Sequence, residues 1–367
     1  MNIKRVAIVY DWVNQIGGAE RVLEAIHQIW PKAPLFTSVY DPNKADWAQK
    51  FPSVKASFLQ RLPGTKRYYH LFAPLIPIAF EQFRFDHYDL VISITSGPAK
   101  AIITKPETCH ICYCLTPPRQ FWQKQFLPQS WLFPWLAPLR AQDYFLSRRP
   151  DYFLTISHYV AQRIKKFYQR EAVVIHPGVD LTRFKPAAHQ SKKRERYFLV
   201  VSRLVNYKRI DLVIKVFNQL GWRLKIIGSG REEKKLRKMA GQNIVFLGQV
   251  DDQRLVREYQ YCQAVIFPQE EDFGLVPIEA QACGRPVIAL ARGGALETII
   301  PGETGEFFFP QEESELFKLL KGFDLGKYSP QACYQNACRF SLKNFVLSFK
   351  NRVAELMADY QQQNQLK

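Results

Sequence analysis

Two carboxylates eight positions apart, Glu271 and Glu279, bracket the stretch Asp272-Phe273-Gly274-Leu275-Val276-Pro277-Ile278. The apolar run Ala264 to Pro268 just before them reads as a buried parallel strand. Val276 to Cys283 reads as a helix closed by Gly284, a residue type that tolerates a left-handed C-cap. Glu271 is therefore expected in a strand-to-helix loop, with the backbone amides of Phe273, Gly274, Leu275 and Val276 opening the helix. In α/β sheets, anions bind at the carboxyl ends of strands, facing a positive helix N-terminus. The arrangement suits a phosphorylated ligand, and Glu279, expected in the first helical turn, would reach vicinal hydroxyls. Taken alone, such a pair also fits a solvated acidic loop followed by a helix-dipole glutamate. The surrounding sequence decides.

The elements that must position these groups alternate. Val6 to Tyr10 reads as a strand, Gly18 to Trp30 as a helix, Leu35 to Tyr40 as a strand and Tyr69 to Phe83 as helical. Strands are expected again at Asp89 to Ile94, Ile111 to Leu115, Tyr152 to Ile156 and Ala172 to Ile175, with Ser157 capping a helix that runs to Phe167. Strand-helix alternation implies a parallel sheet with helices on both faces. Residues 1–185 form the first such domain. The polar, non-periodic stretch 186–196 reads as a linker, and a second alternating domain occupies 197–340. The segment 341–367 reads as a helix followed by a frayed, glutamine-rich tail at Gln361 to Gln365.

The order of several motifs carries a resemblance. Val201-Ser202-Arg203-Leu204-Val205-Asn206-Tyr207-Lys208-Arg209-Ile210-Asp211 is followed by Ile227-Gly228-Ser229-Gly230 and Phe246-Leu247-Gly248. The pair of glutamates comes next, then Gly293-Gly294-Ala295-Leu296-Glu297-Thr298 and Gly302-Glu303-Thr304-Gly305. The chain resembles the retaining glycosyltransferases of family 4, in which two Rossmann-like α/β domains face a cleft (the GT-B fold) and the second carries an E-x7-E signature. The resemblance implies that the C-terminal helices cross back onto the first domain. It further implies a nucleotide-diphosphate sugar as donor, and the first half looks closest to bacterial enzymes that build surface polysaccharides, often from GDP-mannose, on lipid-linked or oligosaccharide acceptors.

Transfer from such a donor requires a diphosphate leaving group to be stabilised as the glycosidic bond breaks. No Asp-x-Asp pair occurs here, so the expectation is a metal-independent enzyme, with no cofactor, in which cations and helix N-termini meet that charge. Arg203, at the carboxyl end of the strand Tyr197 to Val201, and Lys208, expected at the start of the next helix, match the family's diphosphate-binding pair; arginine offers a planar fork and lysine a point charge. Gly17 and Gly18 follow the first strand and open a helix, where glycine lets a backbone approach a ligand closely. In the family this loop lies near the donor phosphates. Glu271 resembles the carboxylate beside the reacting sugar and Glu279 the ribose ligand. Retention of configuration fits either a covalent intermediate or front-face attack, in which the departing phosphate takes the acceptor's proton; the second is the prevailing view for the family. One position departs from the pattern: Leu115 stands where many members carry a sugar-binding histidine, which puts the identity of the sugar in question. Lys100 and Arg119 are expected at the rim of the cleft, available to an anionic acceptor.

With 367 residues, 47% of them hydrophobic and 23% charged, the chain has material for two buried cores. Seven cysteines, an odd number, fit a reducing compartment better than a disulfide framework. Cys109, Cys112 and Cys114 with His110 invite a zinc reading, but they lie in one apolar strand without a second ligand pair, and buried cysteine as a small hydrophobe explains them better. The start of the chain lacks the long apolar core of a signal peptide, and no apolar run approaches the ~20 residues of a membrane span. A cytoplasmic protein follows as the expectation. The net charge of +18 asks for an anionic partner. Nucleic-acid signatures are missing, whereas Phe121 to Trp135 mixes aromatic and basic residues as the lipid headgroup zone favours, so a peripheral position at the inner membrane face is the expectation. The same aromatics also fit packing within the first domain. A soluble acceptor on the same fold is the alternative, and a catalytically silent membrane scaffold is a reading of a different class.

Overall fold

The computed structural model describes residues 5–15, 17–65, 72, 74–127, 131, 133–187 and 196–365. The chain divides into two compact units, Met1–His176 with Phe345–Lys367, and Pro177–Asn344. Most of the segment 186–196, expected as a linker, lies outside the described residues at 188–195.

The first unit is built on seven parallel strands: β1 Val6–Tyr10, β2 Leu35–Thr37, β3 Val54–Ala56, β4 Leu90–Thr95, β5 Cys109–Cys114, β6 Tyr152–Thr155 and β7 Val173–Val174. Their order is β3-β2-β1-β4-β5-β6-β7, so the direction of winding reverses between β1 and β4. Strands β1, β4 and β5 are buried at every residue, as a parallel sheet covered on both faces requires. The edge strand β3 was not anticipated, because three residues after Pro52 are too few to show a period. The expected strand Leu35 to Tyr40 stops at Thr37, and the helix expected over 69–83 is described from Ile76 to Glu81, with 69–71 and 73 outside the described residues. Ser157 accepts a hydrogen bond from the Val160 amide at 3.1 Å and caps the helix His158–Tyr168.

At the β1–β4 reversal, Asp11 is 1% exposed and accepts hydrogen bonds from Thr95 Oγ1 at 2.6 Å and from the amides of Ser96 at 2.7 Å and Ala99 at 2.8 Å. Burial raises its pKa against those three donors. Lys100 is a correction: it lies 1% exposed inside the unit rather than at a rim. Its Nζ is 2.5 Å from Asp143 Oδ1 and donates to the Gly97 carbonyl at 2.7 Å. Asp143 Oδ2 in turn accepts from Trp122 Nε1 and Tyr168 Oη, each at 2.7 Å.

The helix Leu342–Gln365 supplies the last layer of the first unit. Phe345, Phe349, Val353, Met357 and Tyr360 recur every three or four residues and are all buried. Phe345 and Phe349 pack on Tyr113 of β5, with ring centroids 6.1 and 5.2 Å away. Burying each phenylalanine contributes roughly 1.5–3 kcal/mol. The glutamine-rich tail is a second correction. It continues the helix to Gln365, and Asn364 Nδ2 donates to the Pro106 carbonyl at 2.8 Å.

His110 of β5 is fully buried, with Nε2 2.8 Å from Ser93 Oγ. Burial, aided by Arg149 and Arg170, lowers its pKa to about 3. The unfolded chain therefore takes up a proton near pH 6.5 that the folded chain refuses. Stability from this residue is complete above pH 6.5 and falls toward pH 3, by up to about 1.4 kcal/mol per pH unit. Urea midpoints at pH 7, 6 and 5 for wild type and His110→Gln check this: the gap between the two is expected to shift in favour of the variant below pH 6.5, and parallel curves would refute it.

The second unit has six parallel strands, β8 Phe198–Val201, β9 Leu224–Ile227, β10 Ile244–Gly248, β11 Val265–Phe267, β12 Val287–Leu290 and β13 Gly305–Phe308, in the order β10-β9-β8-β11-β12-β13. Its core gathers Phe198, Val200, Leu212, Val216, Ile226, Ile266 and Ile288. The winding reverses between β8 and β11, which pair in parallel at Leu199 and Val265. Ligands of such sheets sit at the carboxyl ends of the two strands flanking the reversal.

Candidate functional site

The two loops that leave β8 and β11 at this reversal carry Arg203, Lys208 and Glu271. After β8 the chain runs through Ser202-Arg203-Leu204-Val205 into a short turn, Asn206–Lys208. Lys208 ends that turn instead of starting the helix; Arg209, at φ +52°, separates it from the helix Ile210–Leu220. The β8 loop is held down by glycines. A Cβ on Gly228 would stand 1.9 Å from the Ser202 carbonyl oxygen, and one on Gly230 2.3 Å from that of Leu204. The Gly-Ser-Gly motif is thus a seat for the backbone that presents Arg203.

Lys208 is 7% exposed and its Nζ is paired with Glu271 Oε1. Lys208 also lies 5.1 Å from the centroid of the Tyr207 ring, whose hydroxyl accepts from Arg203 Nη2 at 2.9 Å. Tyr207 thereby stands between the two cations. Spacing alone does not signal this role, because a half-buried tyrosine in a short turn has many uses.

The β11 loop is clamped in the same manner. The Gly294 amide donates to the Glu271 carbonyl at 2.9 Å. A Cβ on Gly293, at φ +66°, would fall 2.2 Å from that carbonyl oxygen, and one on Gly294 2.3 Å from the Phe273 Cα. Phe273 is buried and packs at 5.8 Å from the Phe340 ring, so its side chain anchors the loop. Gly274, at φ +91°, precedes the helix Leu275–Ala282. The amides of Leu275 and Val276 belong to the first turn, which has no intrahelical acceptors, while Pro277 carries no N–H.

Glu279 is a correction of position. With the helix starting at Leu275, it falls in the second turn. It is 4% exposed, and Oε2 accepts from the Tyr259 hydroxyl at 2.8 Å. Tyr259 is fully buried in the helix Asp252–Tyr261 and fixes the carboxylate's orientation. The residue was not legible as a site residue, since a tyrosine on a helix face reads as core. Gln269, two residues past β11, is 2% exposed, and its Oε1 has no hydrogen-bond partner among the described residues. It is a buried acceptor that sequence reasoning also missed.

Lys208 and Glu271 are therefore together, Arg203 is one tyrosine away, and Glu279 and the helix start complete the second unit's set. Gly17 and Gly18 belong to the first unit, where Gly17 precedes the helix Gly18–Ile29 in extended backbone. A Cβ on Gly17 would meet Glu20 Oε2 at 3.1 Å, and Glu20, 2% exposed, accepts from the Tyr10 hydroxyl at 2.8 Å. Leu115, directly after β5, is 8% exposed and donates its amide to the Thr95 carbonyl at 2.8 Å. Arg119 opens a short helix with its guanidinium 4.7 Å from the Phe126 ring.

The comparisons with known proteins agree with this geometry. Residues 16–183 match the model of Glycosyltransferase Family 4 and residues 182–339 that of Glycosyl transferases group 1. A GDP-mannose-dependent monoacylated alpha-(1-6)-phosphatidylinositol monomannoside mannosyltransferase of Corynebacterium glutamicum is 34% identical over an alignment of 198 positions that covers 46% of this chain and 52% of the relative. A GDP-mannose-dependent alpha-(1-6)-phosphatidylinositol monomannoside mannosyltransferase of Mycolicibacterium smegmatis is 31% identical over an alignment of 183 positions that covers 42% of this chain and 48% of the relative. The match thus spans about half the length of these curated relatives. Among solved structures, the sucrose-phosphate synthase of Thermosynechococcus elongatus superposes with a TM-score of 0.77 at 19% identity, covering 97% of this chain and 100% of that one. Anabaena HepE in complex with UDP gives a TM-score of 0.73 at 18% identity, covering 96% and 100%. These likenesses place both units in the GT-B fold. With two successive family models matched in order across both units, the chain belongs to the family 4 glycosyltransferases.

Proposed function

We propose that this chain transfers a hexose, mannose, from GDP-mannose to a lipid-linked or saccharide acceptor, with retention of configuration and without a metal ion. The observation that carries the reading is the convergence of Lys208, Glu271 and Arg203 at the β8–β11 reversal, beside the open start of the helix Leu275–Ala282. Two cations and a set of backbone amides meet a diphosphate without a metal. Absence of an Asp-x-Asp pair supports the same view. Mannose and the guanine base follow the names of the curated relatives, both GDP-mannose-dependent.

In this reading Lys208 and Arg203 take the diphosphate, and Glu279 takes the ribose hydroxyls with Tyr259 holding its second oxygen. Glu271, partnered by Lys208, is an ion-pair member and not a free nucleophile. The acceptor oxygen forms the new bond to the anomeric carbon on the face from which the phosphate departs. As the carbon–oxygen bond to phosphate breaks, the acceptor's proton passes to that phosphate oxygen. Among the described residues no helix is long and apolar enough to cross a membrane. The site is proposed to work from the cytoplasmic side, with the chain held peripherally at an anionic membrane surface.

A thermal-shift panel of GDP, UDP, ADP and dTDP, each with magnesium and with EDTA, tests the donor assignment. GDP at ~100 times its dissociation constant should stabilise the fold by about 2.7 kcal/mol, read as a rise of several degrees that is the same in EDTA. A rise with UDP but not GDP would overturn the guanine assignment, and a rise only with magnesium would overturn metal independence.

A further inference from the structure

The segment Thr116 to Pro150 of the first unit contains one acidic residue, Asp143. That residue is 4% exposed, and its carboxylate is committed to Lys100, Trp122 and Tyr168. The exposed charges that the segment itself contributes are therefore all cations, of which Arg149 is paired with Glu81 from outside it. The aromatic residues divide into two sets. Trp122 is interior in character, stacked on Phe167 with centroids 4.9 Å apart. Trp131, Trp135 and Phe145 instead stand 65%, 76% and 69% exposed, among the most exposed large apolar side chains described.

The cause is the helix Ala137–Leu146. Its inward face buries Asp143 and Leu146, and the buried Lys100–Asp143 pair fixes which face that is. Pro138, Ala141 and Phe145, spaced by three and four residues, share the outward face, and all three are exposed. An ordinary surface helix puts mainly polar residues there; this one puts a proline, an alanine and a phenylalanine around a single half-exposed glutamine, Gln142, with Trp135 at its entrance. Cations rim the face. The Arg140 guanidinium lies 4.4 Å from the Phe133 ring and donates to the Phe133 carbonyl at 2.7 Å, and exposed Arg148 lies 4.8 Å from the Tyr144 ring.

We infer that the outward face of the helix Ala137–Leu146, with Trp131 and Trp135, is the surface by which this chain docks on an anionic lipid bilayer. Exposed tryptophan and phenylalanine suit the headgroup boundary, and the cations complement anionic headgroups. Depth is interfacial, since a helix of ten residues with one apolar stripe lies in the boundary and does not span it. A second copy of this chain is a poorer occupant, because it would bring the same cations, and a net charge of +18, against themselves.

The inference deepens the proposal of a peripheral, membrane-held enzyme, yet the two fail separately. Vesicle sedimentation of the full chain, with phosphatidylcholine vesicles containing 30% phosphatidylglycerol and with phosphatidylcholine alone, is the test. Binding is expected to the anionic vesicles, at least about tenfold weaker to the neutral ones, and to fall at 0.5 M salt. Trp135→Ser with Phe145→Ser is expected to weaken binding at least about tenfold while leaving the melting temperature and the nucleotide-induced shift as in wild type. Lys234→Ser with Lys238→Ser, a charge control in the second unit, should change binding by less than twofold. Undiminished binding by the Trp135/Phe145 variant overturns the inference, as does equal loss in the charge control. So does a wild-type dimer in sedimentation velocity that the Trp135/Phe145 variant dissolves while vesicle binding persists.

Discussion

Lys208→Ala is expected to lower kcat/KM for the donor sugar by about 10²–10³, or about 2.7–4 kcal/mol of transition-state stabilisation, the range seen when one preorganised charge-stabilising group is removed. Two losses combine. The diphosphate loses a point charge at the β8–β11 reversal, and Glu271 loses the cation that neutralises it. The Glu271 carboxylate would then face an incoming polyanion without the Lys208 charge between them, so the donor meets repulsion where it had attraction. The expected signature is loss of the GDP-induced thermal shift together with lost turnover, while the melting temperature without ligand stays within a few degrees of wild type. Lys208→Arg should recover part of the binding, since the charge is restored with different reach. Glu271→Gln is the complement: it keeps the diphosphate cations and should preserve GDP binding while lowering kcat. Retention by Lys208→Ala of more than a third of wild-type kcat/KM would remove this lysine from the chemistry.

The second large effect concerns the first unit. Lys100→Ala is expected to cost about 3–5 kcal/mol of stability, as removing one member of a buried ion pair does. Its ammonium and the Asp143 carboxylate are 1% and 5% exposed, so water cannot replace the lost partner. Burial works against the charge on Lys100, but Asp143 outweighs it and raises the lysine's pKa. The lysine thus stays charged through neutral pH. Lys100→Met combined with Asp143→Asn should be milder than Lys100→Ala, because the amide oxygen still accepts from Trp122 and Tyr168 and no charge is left alone. Urea denaturation followed by tryptophan fluorescence reports on the right region, since tryptophans 12, 30, 47, 122, 131 and 135 lie in the first unit and only Trp222 in the second. A cost below about 1 kcal/mol for Lys100→Ala would show the pair to be solvated.

The parts of the fold that were legible are those in which local chemistry and tertiary demand agree. Strands β1, β4 and β5 are mostly apolar because both sheet faces are covered, and short apolar runs interrupted only by Ser93, Thr95 and His110 say as much. Ser157 announced its helix because a hydroxyl at that point has one main use. Edge strand β3 failed the same test: Val54, Lys55 and Ala56 are half-exposed or exposed and too few for a pattern. The site was legible through its charges and glycines, whose spacing survives in the linear chain. Its supporting residues were not. Tyr259 meets Glu279 from another helix, and Tyr207 serves Arg203 through a loop conformation, so neither contact has a spacing to read. Lys100 was misplaced for a related reason. A lysine is normally solvated, and the carboxylate that permits its burial stands 43 positions away.

The division of the chain has a bearing on how the protein comes into being. The second unit is continuous in sequence, but the first takes its closing layer from Phe345 onward. A ribosome therefore releases the face of β5 that carries Tyr113 long before it makes the phenylalanines that cover it. At translation rates of about 5–20 residues per second, the intervening unit alone occupies on the order of ten seconds or more. Throughout that interval the nascent first unit holds an unroofed aromatic surface, while the second unit has all of its own sequence and is free to fold. The younger half of the chain is thus positioned to be finished first, and the older half to wait for its last helix.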